Sequence, residues 1–422
     1  MSNVAGYLSR ATADSSDDVG EWQVGVLRRN AKGMNTGSTL FALMSRLRNE
    51  NADSQTYNWW EKDPTRRVFY LAANVTQTTT QFQFDNTVTA AGALPAVYDN
   101  GSLDQSVYAL LKAGAILEST ATGERITVVA AGTSYATGVT VSRGTVGYSG
   151  SATPPANHTA TEPFVLITLA KPNGSNPVDS AFTQPSKYLN YCQTFNSTAS
   201  VDNAYVNGIL RTDLDGPWYE QKVDALERIA NDIELAYFFG VAAISGSTYT
   251  TGGIRNAIDT ASLTANALNA DSTTKTVTLD AFDSWVQSFM TQGSDTKLAF
   301  CGPNAYSAIS KFANTAAGGY RIMQGESDSI FGLNLTTIQT PFGRVDLASH
   351  PLFKNIPSYN GTMMVVDLEL ICQKTFEKLF FQEYEPTNGS DTRQGQFRAK
   401  LGIKQKFPAA FGYANNISRI VA

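Results

Sequence analysis

The stretch LDGPWYEQKVDALERIANDIELAYFFG, Leu214 to Gly240, is the longest uninterrupted helical pattern in the chain. Thr212, Asp213 and Asp215 crowd its start, where side-chain oxygens can cap free amides. Pro217 suits a first helical position, and Gly240 sits where a left-handed C-terminal cap belongs. Tyr219, Val223, Leu226, Ile229, Ile233, Ala236 and Tyr237 recur every three or four residues and predict one apolar stripe. Asp224 and Arg228 form an i,i+4 pair in the favourable direction. A helix of about 24 residues is roughly 36 Å long, against a usual length of about 11 or 12 residues. Each stripe residue, fully buried, contributes roughly 1.5–3 kcal/mol. Such a rod suits a protein that needs a stiff backbone between contacts at its two ends.

The 422 residues imply two or three domains. With 42% hydrophobic and only 16% charged residues, the chain is globular and too apolar for disorder. A net charge of -5 argues against nucleic-acid binding over the whole surface, while leaving a local basic face open. Cys192, Cys301 and Cys372 are far apart in apolar runs, so they predict buried free thiols rather than disulfides or a metal knuckle. The N-terminus lacks the basic and apolar blocks of a signal peptide. No apolar run reaches the roughly 18 residues of a membrane span. The expectation is a product made in the cytosol, with no membrane partner.

Residues 1 to 35 are polar and carry both charge signs, which reads as an arm ordered only against something else. Thr39 to Arg48 is a short amphipathic helix, and YNWWEKDPTRRVFYL follows with adjacent Trp59 and Trp60. In a strand these two point opposite ways, so at least one should contact a second element or subunit. From Gln81 to Ala170, TQFQF, AILES, RITVVAA, VTVSRG and FVLITLA alternate with Gly, Asn and Ser turns. That spacing predicts an inserted small barrel or sandwich. After Gly240 the pattern is α+β. Asp280 is the expected cap of a helix with Phe282, Trp285, Val286 and Phe289 inward. Pro303 opens another helix, and strands follow at Lys297–Cys301, Leu333–Thr340, Gly343–Ala348, Met363–Leu368, Leu379–Tyr384 and Phe397–Lys406.

The sequence holds no catalytic constellation. His158 sits in a polar turn and His350 precedes Pro351, neither with a partner at metal spacing, so exposed or capping roles are expected. There is no nucleophile elbow, phosphate loop or dinucleotide fingerprint. Asp213, Asp215 and Glu220 read as helix-start acids rather than a cation site. Gly252-Gly253 and Gly318-Gly319 read as turns. Arg28, Arg29 and Lys32 form a small basic knot, offset by Asp14, Asp17, Asp18 and Glu21. An arm, a rod, an inserted β module and a polar hairpin tip are parts of an interlocking subunit.

In their order these parts resemble the major capsid protein of tailed bacteriophages with the Hong Kong 97-type fold. The likeness rests on NWWEKDP (Asn58 to Pro64), on RIANDIELAYFFG followed by TTGGI (Thr250 to Ile254), and on LAFCGPNAYSAISKF (Leu298 to Phe312). It continues through FGRVDLASHP, MMVVDLE and the terminal strands. TGERITV (Thr122 to Val128) and TVSRGTVG (Thr140 to Gly147) look like a subgroup with an inserted β-barrel. The resemblance implies an N-terminal arm at 1–57 and an extended hairpin loop at 58–205, carrying the β domain at about 81–171. It implies a peripheral-domain spine helix at 206–248, an axial domain at 249–372 and a return at 373–422 with a hairpin tip at 386–394. The implied role is non-enzymatic self-assembly into pentamers and hexamers of a head enclosing double-stranded DNA, without sequence-specific contact. Scaffolding, portal and decoration proteins are the further partners implied. No cofactor, metal or catalytic residue is expected, and the implied location is the virion, assembled in the host bacterial cytoplasm. Arg28, Arg29, Trp59, Trp60, Asn388, Asp391 and Arg393 are the expected contacts between subunits. Two other readings stay open: a tail or surface-layer subunit whose β module binds a ligand, and an enzyme working through carboxylates alone.

Overall fold

The computed structural model describes residues 39–62, 67–85, 110–130, 138–144, 155–171, 173–174, 185–202, 216–271, 273–314, 321–323, 329–330, 333–334, 336–385 and 391–421. Thr212, Asp213, Asp215 and the glycine pair at 318–319 lie outside them. Contacts divide the chain into two units, Met1–Asn58 with Leu189–Ala422, and Trp59–Tyr188. The expected α+β class is what these residues form.

In the first unit the helices are α1 (Thr39–Leu47), α2 (Gly216–Phe239), α3 (Ile254–Thr260), α4 (Leu279–Met290), α5 (Pro303–Asn314) and α6 (Pro351–Asn355). A seven-stranded mixed sheet runs Ala267–Asn269, Gly412–Asn415, Met363–Val366, Thr296–Cys301, Gly343–Ser349, Thr336–Thr340, Arg321–Met323. Side chains alternate across a strand, so this sheet feeds two cores. Leu298, Phe300, Met364 and Val366 face α2 and α1, whereas Ala299, Cys301, Met363 and Val365 join α4 and α5. Burial on both faces explains why these strands read as continuous apolar runs. Phe282, Trp285, Val286 and Phe289 are the inner face of α4, as expected. Its cap is not Asp280 but Thr278, whose hydroxyl accepts from the Ala281 amide at 3.3 Å; Asp280 lies inside the first turn. The three thiols are buried and free, and burial pushes Cys192 and Cys372 up to about 11.

A second sheet places Asn49–Asn51 beside Ile371–Tyr384, then Thr392–Gln405, then Gln193–Asp202. Helix α2 spans its inner face. Trp218 and Ala225 pack with Ala199 and Val201, while Ile229, Ile233, Tyr237 and Phe238 enter the large core. The buried seam is therefore rotated from the stripe read in the sequence: Tyr219 is 69% exposed and Leu226 40%. One residue step turns about 100° around a helix, and Trp218, the larger ring, takes the inward position that Tyr219 was assigned. Gly240 also differs from expectation. It is not left-handed; a Cβ there would lie 2.4 Å from the Thr251 carbonyl oxygen and 2.5 Å from that of Ala236. Gly253 is equally tight, 2.7 Å from the Ala236 oxygen, so close approach rather than a turn requires glycine.

In the second unit, strands Gln81–Phe82, Val139–Ser142, Arg125–Ala130, Ala115–Ser119, Pro163–Leu169, Val68–Leu71 and Phe84–Asp85 form one sheet in that order. Its two outer strands are separated only by Gln83, so segment 81–85 bonds to both sides and closes the sheet on itself. Phe69, Phe82, Phe84, Phe164, Leu117 and Ile126 fill the interior. At one end lies a buried charge cluster that contradicts the exposed or capping role expected of His158. His158 is 2% exposed, with Nε2 2.8 Å from Glu124 Oε2 and Nδ1 2.8 Å from Glu162 Oε1. Arg143 donates to both Glu124 oxygens at 2.9 and 2.8 Å, and to the carbonyls of Thr76 and Ala156. Glu124 lies 34 residues from His158 in sequence, so no local motif announces the pair.

Ile229 is fully buried, so Ile229→Asp is expected to abolish soluble expression; normal yield would place the core elsewhere. Arg143→Met leaves Glu124 buried without its cation, an expected loss of about 3–5 kcal/mol in the second unit by chemical denaturation. Burial raises the Glu124 pKa, but donation from Arg143, the Ala156 amide and His158 outweighs it and holds the carboxyl below its ordinary value. The stabilisation is therefore complete above the ordinary glutamate range and lost as pH falls through the lower folded value. Amide exchange in 119–124 and 155–162 across an acid titration checks this.

Candidate assembly surfaces

Helix α1 opens onto a carboxylate from far along the chain. The first four amides of a helix have no partner within it. Here Leu40 N donates to Glu234 Oε1 at 2.7 Å and Phe41 N to Glu234 Oε2 at 2.6 Å. Glu234, on α2, is fully buried, and His350 Nε2 lies 2.8 Å from its Oε1. His350 does hold the N-cap position of α6, but its ring is wholly buried rather than exposed or capping. Phe238, Phe300 and Phe353 surround the ring at 5.2, 5.5 and 4.6 Å. His350 Nδ1 is buried without a hydrogen-bond partner. Glu234 was not singled out from the sequence. Its one signal is a lone acid inside the apolar run IELAYFF.

Of the expected inter-subunit residues, Arg28, Arg29 and Asn388 lie outside the described residues. Trp59 and Trp60 lie on strand Thr56–Glu61 and diverge as strand geometry demands. Trp59 stacks on Tyr188 at 5.9 Å and donates its indole N–H to Glu61 at 2.7 Å. Trp60 is 60% exposed. Asp391 is exposed at the start of the return strand. Arg393 donates to Glu383 at 2.5 Å, and its guanidinium lies 4.9 Å over the Trp218 ring. The structure thus brings Arg393 to the first turns of α2, where the Lys222 ammonium covers the same ring at 5.0 Å.

The paired strands Ile371–Tyr384 and Thr392–Gln405 carry a mixed outer face. Phe376, Phe380 and Tyr384 are each more than a third exposed. Glu377 sits 3.2 Å from Arg398 and 3.4 Å from Lys400. Glu50 bridges Lys374 and Lys404, and the Lys374 ammonium holds its carboxyl at about 2.

A cavity of about 350 Å³ lies beside α1, lined by Leu43, Lys297, Asp346, Asp367 and Glu369 among others. Lys297 Nζ is 3.3 Å from Asp367 Oδ2, both side chains fully buried. Burial pulls the amine below its ordinary value against the attraction of Asp367. Burial also opposes the Asp367 charge, yet donation from the Ser294 and Glu369 amides and the Lys297 ammonium holds its carboxyl below the usual range. Gly293, at φ +82°, passes so close that a Cβ would sit 2.3 Å from Asp367 Oδ2. Every polar atom of the pair is consumed in holding the loop, which leaves a structural ion pair. Among the described residues no group of three or more His, Cys, Asp or Glu is placed to hold a metal. No described helix is long and apolar enough to cross a membrane.

Comparison with known proteins completes the picture. No curated protein sequence matches the chain. Among solved structures, a chain of Mycobacterium phage Patience is similar at 12% identity and TM-score 0.41, covering 61% of this chain and 77% of that one. The holo-SrpI encapsulin of Synechococcus elongatus PCC 7942 is similar at 13% identity and TM-score 0.39, covering 58% and 81%. The cyanophage Pam1 capsid is similar at 10% identity and TM-score 0.39, covering 59% and 82%. A sequence family is matched over residues 34–418, nearly the whole length: the chain belongs to the SU10 major capsid protein family.

Proposed function

We propose that this chain is the shell-forming subunit of a tailed double-stranded DNA bacteriophage, assembling with copies of itself into pentamers and hexamers in the host bacterial cytoplasm. The observation that carries the reading is the family match over residues 34–418. The anatomy proposed is an arm at 1–57, an extended loop at 58–205 with its β module at about 81–171, a spine at 206–248, an axial domain at 249–372 and a return at 373–422. A stiff α2, a long strand pair with exposed aromatics and a 60%-exposed tryptophan support it. Large exposed aromatics are what anchor protein interfaces. Trp60 is accordingly the leading contact between copies, with Arg28, Arg29, Trp59, Asn388, Asp391 and Arg393 behind it. The role is structural, without catalysis or cofactor. Scaffolding, portal and decoration proteins are its further partners, and packaged DNA lies nearby without base-specific contact. Family membership weighs against a tail or surface-layer subunit.

Electron microscopy of the expressed full-length chain, alone and with a scaffold, is expected to show closed shells or capsomers; a monodisperse monomer under every condition overturns the reading. Trp60→Ala is expected to leave subunit stability within about 0.5 kcal/mol. It should cost about 2 kcal/mol or more per contact between copies, seen as a raised critical concentration for assembly. An unchanged critical concentration removes Trp60 from the interface.

A further inference from the structure

Helix α1 is held by apolar and by polar anchors. Its apolar anchors, Leu40, Leu43 and Met44, sit in a large shared core. Apolar packing of that kind tolerates small slips and substitutions. Its polar anchor does not. Glu234 is fully buried and takes Leu40 N, Phe41 N and His350 Nε2 at 2.7, 2.6 and 2.8 Å. A buried carboxylate is costly unless such donors meet it, and the positive end of a helix is a natural partner for it. The reversed helix would present carbonyls to the carboxylate. A slip of one residue would swing the two amides about 100° away.

The surroundings also fix the carboxylate. His350 Nε2 meets the same Glu234 oxygen as the Leu40 amide, while its Nδ1 is buried without a partner. Phe238, Phe300 and Phe353 close round the ring, so it has no room to follow a displaced helix. Downstream, the register set at α1 passes directly into the sheet. Arg48 N bonds to the Met44 carbonyl, Gln373 N to the Arg48 carbonyl, and Asn49–Asn51 then pairs with Gln373–Thr375. An apolar residue at 234 would fill the space without choosing direction or register. Buried charge is best attested where it fixes such a choice.

We infer that Glu234 is a positioning residue: it fixes α1, and through it strand Asn49–Asn51, in one direction and register, on which regular contact between copies then depends. The inference rests on the shell-forming reading for its consequence, and on the geometry alone for its mechanism.

The experiment compares the full-length wild type with Glu234→Gln, whose amide group turns donors toward donors. Hydrogen exchange is read at residues 40–47 and at Met363–Val366, and particles are imaged after assembly. The expected result is at least about tenfold faster exchange in α1, the loss of one or two charge-assisted hydrogen bonds, with Met363–Val366 protected as in wild type. Closed shells should give way to irregular or open assemblies. Wild-type exchange in α1 together with wild-type shells overturns the inference. So does equal loss of protection in both segments, which is general destabilisation. Should Glu234→Gln be insoluble, Glu234→Asp, which keeps the charge but withdraws it, takes its place with the same readouts. If wild type itself forms no particles, the shell-forming reading fails, while exchange in α1 still decides the positioning role.

Discussion

The first unit depends on one buried seam, Trp218 to Phe238 along α2. Its early turns cover the four-stranded sheet, and its late turns enter the core shared with the seven-stranded sheet. A single helix thus holds two sheets in a fixed relation, because their side chains pack on the same rigid rod. The rod is stiff for local reasons, since its hydrogen bonds are internal. It is placed for non-local ones, since each seam residue meets strands far away in sequence. The tight glycines follow from this. Gly240 and Gly253 let the chain that leaves the rod return against its last turn, where any side chain would collide with backbone.

The α+β class, the rod, the strands of the second unit and the inner face of α4 were legible because periodicity reports burial directly. The phase of the rod was less so. Trp218 and Tyr219 are adjacent aromatics, and which one turns inward is decided by Phe381, Phe397 and Arg393, which no local pattern reveals. Both histidines were misplaced for a related reason. A histidine without a partner nearby in sequence reads as exposed or capping, and only the fold shows that His158 meets Glu124 and His350 meets Glu234. Glu234 was invisible as a partner for α1 because the two are 194 residues apart. Family membership was legible in the order of several short motifs, which survives where single residues diverge.

The buried charges share a pattern. Glu124 with Arg143, Asp367 with Lys297, and Glu234 with an α-helical N-terminus each tie a loop or element end to the body. None is a free cation or anion awaiting a ligand, and each carboxylate collects backbone amides as well as its partner. Hydrophobic contact stabilises the mass of the molecule without specifying loop positions closely. The charge clusters do the specifying, at the cost of desolvation. This explains how a chain poor in charged residues still defines single conformations at its loop-bearing ends.

The closure of the sheet in the second unit bears on life in a crowd. An open sheet ends in a row of unpaired amides and carbonyls that can recruit a strand from any identical neighbour. Because 81–85 serves both margins, the described sheet offers no such row. At the described margins of this sheet, a neighbouring copy can therefore be met through side chains rather than by strand addition. Contacts of that kind are selective and can be retuned by surface substitution, without the risk of runaway fibre growth.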